Sequence, residues 1–205
     1  MRSNNVLLIF LFAVSSFADE PKLGEPPDID KVLTADQWKQ LEDGEIILQK
    51  IESDDKRKGG GLAVGIINAP ASKLFAALSD FEEHVSYFPR MVSLDLYTPE
   101  QEGLIGIHPT IKVPIVGEVQ YNVLFKLDEK AGTLLFGLDH SKTNDIADTL
   151  GAWVVRGLGN ERSLFVYSVY VDTGRNVPKV LEDFLTNRDL PNVIKAVRDH
   201  LEPGK

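Results

Sequence analysis

Apolar and polar positions alternate along this chain in two different rhythms, and the change of rhythm divides it. Towards the end, Val177, Val180, Leu181 and Phe184 recur at helical spacing, followed by Leu190, Val193, Ile194, Val197 and Leu201. Each set makes one apolar face on a helix. Pro178 suits a first helical turn, where its missing N–H costs nothing, and Pro191 follows Asp189, which is placed to cap the restart. The expectation is a helix, a break over 186–189 and a longer closing helix, with Asn192, Lys195, Arg198 and Asp199 mostly on its solvent side.

Between residues 91 and 172 the period is two. Val92, Leu94 and Leu96 alternate, and 105–113 and 118–127 flank a turn at 114–117. The clearest alternation sets Val119, Tyr121, Val123, Phe125 and Leu127 against Gln120, Asn122, Lys126 and Asp128, which predicts a sheet with one wet face. Strands are expected over 134–138, 152–158 and 164–171, joined at Gly132, at 144–148 and at Gly159-Asn160.

The first third is mixed. Thr34 and Gln37 have capping-box spacing ahead of Trp38 and Leu41, and Gly44 stands where a helix stops, so 35–43 is a short helix. Residues 45–52 and 62–67 are strand-like, forming a hairpin or one interrupted edge, and the charges and glycines of 54–61 predict a turn or flexible loop. After Ala69-Pro70 a helix is expected over 71–78, and Asp80 with Glu83 signals a second that Val85, Phe88 and Pro89 close. The pair is expected to close one end of the sheet. Strands in series followed by a helix argue for α+β: a curved antiparallel sheet of about six to seven strands around a long C-terminal helix.

Two features at the start change the picture. Arg2, the apolar run 6–14 and Ser16-Phe17-Ala18 have the order of a secretory signal, with cleavage expected after Ala18 and no stable membrane insertion afterwards. Residues 19–32, with three prolines, form an extended leader, and 33–205 the folded domain. The chain carries a formal charge of −9 over 205 residues, which argues against nucleic acid and anionic headgroups as partners. It has no cysteine, so disulfides and thiol chemistry are excluded and the core must hold unaided. Export without disulfides fits a bacterial periplasm.

Candidate chemistry is sparse. His84, His108, His140 and His200 show no metal-ligand spacing and are best read as solvated or locally bonded, so no metal or cofactor is expected. Asp139 and His140, adjacent in a strand, point to opposite faces and make a poor acid–base pair. No catalytic constellation emerges. The strand aromatics Tyr121, Phe125, Trp153, Tyr167 and Tyr170 suit a plain core or the wall of a pocket. Arg156 falls on the face opposite Trp153 and Val155, which favours a surface role, and Arg90 follows Pro89 where a cation can satisfy helix carbonyls.

Several short segments, in this order, carry a resemblance: Ala69-Pro70 with Leu74-Phe75 and Asp80-Phe81, Tyr87-Phe88-Pro89-Arg90, Gly151-Ala152-Trp153, residues 167–172, then Leu190-Pro191 and Val197-Arg198. Across about 33–202 the chain resembles the START-like (SRPBCC) helix-grip superfamily, in particular its bacterial polyketide cyclase and coenzyme Q-binding branch. The resemblance implies an antiparallel sheet around the closing helix with a hydrophobic tunnel between them, where relatives hold lipids, sterols, quinones or polyketides and some catalyse cyclisation. On that footing the expected lining is Tyr121, Val123, Phe125, Trp153, Val155, Tyr167, Val193, Ile194 and Val197. The expected partner is a small hydrophobic ligand. A cyclase or aromatase, and an interaction domain with a collapsed pocket, stand as alternatives, because fold does not imply function.

Overall fold

The computed structural model describes residues 21–51, 53–175 and 189–202. The expected signal segment and the helical run at 177–184, with Pro178, lie outside the described residues. In chain order the elements are α1 (Ile29–Val32), α2 (Ala35–Glu42), β1 (Ile47–Ile51), β2 (Lys58–Ile67), α3 (Ala71–Ser79), α4 (His84–Tyr87), β3 (Met91–Tyr97), β4 (Ile105–Val113), β5 (Gly117–Gln120), β6 (Val123–Asp128), β7 (Thr133–Leu138), β8 (Asp148–Gly157), β9 (Ser163–Asp172) and α5 (Leu190–Leu201).

The strands form one curled antiparallel sheet in the order β1-β2-β9-β8-β7-β6-β4-β3, with β5 also paired to β4. Helices α3 and α4 carry the chain from β2, next to one edge, to β3 at the other. The fold is α+β and helix-grip-like, as expected, but it has nine strands rather than six or seven. Two local features depart from the expected strands, the first lengthening one and the second adding one. The glycines of 59–61 are strand rather than loop: Lys58–Gly61 continue β2 against Asp172 to Val169, and a side chain at Gly60 would collide with the Val169 carbonyl. The stretch 118–127 is two strands, because the Asn122 amide N–H donates to Asn144 Oδ1 (2.7 Å) and its Nδ2 to the Thr143 carbonyl (3.0 Å). Side-chain bonding replaces the ladder there.

The sheet also lacks the wet face expected of it over half its width. On the concave side, α3 and α5 close over a core that includes Leu74, Leu78, Phe125, Trp153, Phe165 and Ile194. On the convex side, Leu33 and α2's Leu41 cover Ile47, Leu62, Val64, Ala152, Val154, Leu164 and Val166. Strands buried on both faces need apolar residues at consecutive positions, which explains the unbroken apolar runs at 62–64 and 152–155. Helix α2 begins as expected, with Thr34 Oγ1 accepting from Gln37 N (3.2 Å) and Gln37 Oε1 accepting from Thr34 N (2.9 Å). Residues 21–32 are tied to the sheet, through Gly24 N to the Phe136 carbonyl (2.9 Å) and Asp30 to Arg156 (3.0 Å).

Two expected helix-end signals and one expected solvent-side residue resolve differently. Glu83 is already in right-handed helical geometry with no side-chain cap, so the Asp80/Glu83 box does not form and α4 is a single turn from His84. Asp189 is likewise helical and makes no capping bond; its carboxylate turns to Arg90 instead. Arg198 does not face solvent. Its Nε donates to the Ile66 carbonyl and its guanidinium to that of Gly44, both at 2.9 Å, fastening α5 to β2 and to the end of α2.

Candidate functional site

Between the concave face and the span from α4 to the first turn of α5 lies a cavity of about 340 Å³. Its size is at the low end for small-molecule sites. The sheet supplies alternate residues, as a period of two requires: Ile107, Pro109, Ile111 and Val113 from β4, Val119 from β5, Val123 and Phe125 from β6, Phe136 from β7, Trp153 from β8, and Tyr167, Val169 and Val171 from β9. His84, Phe88, Leu190 and Val193 close the opposite wall.

An aromatic belt forms the inner end. His84 stacks on Phe88 with ring centroids 4.2 Å apart and lies 5.6 Å from Trp153, which is 5.2 Å from Phe125 and in edge contact with Tyr167 at 6.0 Å. Phe81 and Phe125, at 4.8 Å, back it from the core. The α4 turn places this wall: His84 and Phe88 are four residues apart, so they share one side of it.

Polar groups on the lining include His84, Tyr121, Tyr167, Thr149, Asp145 and Arg175. His84 is 1% exposed, and its burial pushes the imidazole down to about 4, leaving the ring neutral at pH 7. Burial likewise raises Tyr121 to about 12, and it raises Tyr167, so both phenols stay protonated. At the rim, Arg90 reaches Asp189 across 3.0 Å, joining the segment after α4 to the start of α5. Burial raises the Asp189 carboxyl, and Arg90 only partly opposes it. Arg90 sits at φ 64°, a left-handed backbone uncommon for a residue with a β-carbon. Arg90 thus has an ion-pair partner at the start of α5. Lys56, Arg57 and Lys58 edge the other side of the mouth, where Asp55 pairs with Arg57 at 2.7 Å.

Of the nine residues expected to line a pocket, Tyr121, Val123, Phe125, Trp153, Tyr167 and Val193 lie on the cavity wall. Val155, Ile194 and Val197 do not: they are buried in the core further along the sheet, where α5 rests directly on β2 and leaves no space. The sequence reading missed His84, Phe88, Phe136, Leu190 and the β4 residues. The spacing of Ile107, Pro109, Ile111 and Val113 was available as a signal; the meeting of α4 with Trp153 was not.

The remaining candidates fall outside the cavity. Arg156 is on the convex side, paired with Asp30 and lying over Trp38. His140 faces Asp148 at 3.3 Å, and His200 stacks on Tyr87 at 4.2 Å. Asp139 is buried, which opposes ionisation, yet hydrogen bonds from Ser141 and Tyr97 hold its carboxyl below the usual value. Asp139 and His140 therefore answer to different partners. Among the described residues there is no group of three or more side chains suited to a metal. No described helix is long and apolar enough to cross a membrane.

No family model matches the chain, and no curated protein does. Solved structures do. A STAR-related lipid transfer protein from Xanthomonas axonopodis (fragment 25–204) superposes with a TM-score of 0.65 at 13% identity, over 89% of this chain and 99% of that one. The Zhui aromatase/cyclase from Streptomyces sp. R1128 gives 0.58 at 15% identity, over 77% and 94%. A START superfamily protein from Mycobacterium smegmatis gives 0.57 at 13%, over 78% and 98%. At such identities the likeness concerns the backbone alone. The chain has the START-like helix-grip fold.

Proposed function

We propose that this protein is an exported binding module that holds a small hydrophobic molecule, a lipid, quinone or polyketide-like compound, between the sheet and the C-terminal helix. The observation that carries the reading is the cavity itself: an apolar wall built from alternate strand residues and a cluster of aromatic rings, with charged groups such as Arg57, Arg90 and Asp189 also on the lining. The lipid transfer function in the name of the Xanthomonas neighbour supports the same reading. Native mass spectrometry of protein purified from its own envelope tests it. A co-purifying apolar molecule is the expected result, and a bare chain that also fails to take up an apolar fluorophore overturns it.

Export rests on the sequence of residues 1–18. The intact mass of the recovered protein should lack them, and a mass that retains Met1 to Ala18 makes the segment an anchor. The Streptomyces aromatase/cyclase favours a second reading, an enzyme acting on a polyketide-like substrate. Turnover of such a substrate by the purified protein would replace the first reading with it.

A further inference from the structure

Three glycines in succession stand in β2 near the mouth of the cavity, Gly59 to Gly61, and all three are on its lining. Glycine weakens a strand interior and marks a place where a ligand or another backbone comes close. Gly59 pairs with Val171 and Gly61 with Val169, and both valines also line the cavity. Residues directly opposite each other in a ladder share a face, so the cavity side of β2 carries no side chain at 59 and 61. At about 3.3 Å per residue, this bare strip runs about 13 Å inward from Arg57 to Gly61. Next to it, Val171, Val169 and Tyr167 follow one another along β9 towards Trp153, which Tyr167 meets edge-on.

The outer end of the strip is cationic. Thr173 N donates to the Arg57 carbonyl (2.9 Å), and Thr173 Oγ1 lies 2.6 Å from the Arg175 carbonyl, so the turn at 56–58 and residue 175 come together at the mouth. Lys56, Arg57 and Arg175 are exposed as well as on the lining, which leaves their charged ends open to a ligand. Asp55 pairs with Arg57, and Lys58 lies 3.8 Å from both Asp55 and Asp172; among the described residues neither Lys56 nor Arg175 has an ion-pair partner. Four cations therefore face two anions here, in a chain whose formal charge is −9. Across the mouth Arg90 and Asp189 balance each other, and Asp145 is the other acidic lining residue. With a screening length of about 8 Å at physiological salt, a group at the mouth feels the near cluster more than the distant acidic surface.

We propose that the cavity takes a single-chain anionic amphiphile, whose carboxylate or phosphate head group rests on Lys56, Arg57 and Arg175 and whose apolar chain runs inward over Gly59 and Gly61. The inference rests on the proposed binding of a small hydrophobic molecule and adds the charge of its head group and the path of its chain. The exposed pair of Arg57 with Asp55 is no obstacle, because such pairs contribute little and exchange readily for a ligand anion.

The test uses the full chain, the neutral fluorophore N-phenyl-1-naphthylamine and four twelve-carbon competitors kept below micelle formation: dodecanoate, dodecyl phosphate, 1-dodecanol and dodecyltrimethylammonium. At neutral pH and low salt, the better of the two anions should displace the fluorophore at about tenfold lower concentration than the alcohol, with the cation weakest. Which anion is better assigns carboxylate or phosphate. The advantage should shrink in about 1 M salt, and it should vanish when Lys56→Gln, Arg57→Gln and Arg175→Gln are combined. Gly61→Val should weaken the better anion about tenfold, because its side chain fills the strip. In 15N-labelled protein the Gly59 and Gly61 amide resonances should shift with that anion bound, which decides the path even where Gly61→Val does not fold. Equal competition by anions, alcohol and cation in the unaltered protein, or glycine amides indifferent to the bound anion, overturns the inference and leaves the binding function standing. Failure to take up the fluorophore or any of the four chains overturns both.

Discussion

Ile194 rests directly on Gly65: a β-carbon at that glycine would collide with Ile194 Cγ2 and crowd the Arg198 guanidinium. Here the C-terminal helix touches the sheet backbone, and the contact explains why residues 193–197 divide between cavity and core. Val193, one position earlier, is on the cavity wall. Gly65→Ala should therefore cost about 1–3 kcal/mol in denaturant melts, since the crowding can be relieved only by moving α5. A neutral substitution would mean that the helix is free to shift.

The same contact fixes the helix phase. Ile194 is fully buried and Lys195 exposed, so Ile194→Asp should lose several kcal/mol through desolvation of the new carboxylate. Lys195→Asp should stay within about 0.5 kcal/mol. Equal losses at the two positions would contradict the packing of α5 on β2.

Thr34 closes a reciprocal capping box with Gln37. Thr34→Ala removes the acceptor of the Gln37 N–H, and urea melts should register a loss of about 0.5–2 kcal/mol. Because α2 covers the convex core through Leu41, hydrogen exchange should rise in α2 and β1 before the cavity residues are affected.

His84 predicts an acid sensitivity. Its folded value is depressed from 6.5 to about 4, so the unfolded chain takes up this proton first as pH falls. The stability it contributes is complete above about pH 6.5 and is lost as pH drops through about 4. Across that window the unaltered protein should lose up to about 1.4 kcal/mol per pH unit relative to His84→Phe. Parallel stability curves for the two proteins would place the protonated ring within reach of water.

Ile115 occupies the turn between β4 and β5 at φ 70° and is 93% exposed. A β-branched residue there bears the left-handed cost of about 1–2 kcal/mol without packing to offset it. Ile115→Asn should raise stability by several tenths of a kcal/mol or more, with fluorophore binding unchanged. A loss of stability would mean that the turn relies on the isoleucine.

The order of strands and helices, the capped α2 and the apolar stripe of α5 are local patterns, governed by periods of 2 and 3.6 and by end chemistry, and the sequence alone determined them. The likeness to helix-grip proteins was legible for the same reason, since it follows the order of elements. What local pattern does not contain is which surfaces meet. Residues 152–155 look equally apolar whichever way they face, and only the layering shows that Trp153 borders a cavity while Val154 meets the α2 layer. Val155, Ile194 and Val197 share the apolar character of Val193, yet a glycine on a neighbouring strand lets the helix close onto the sheet and removes the space beside them. His84 and Trp153 are 69 positions apart in the numbering and make no motif; the tertiary fold puts both into one apolar wall and leaves both nitrogens unpaired. Long-range packing decided the site because the energy of burying a group depends on every neighbour it meets, and most of those neighbours are remote in sequence.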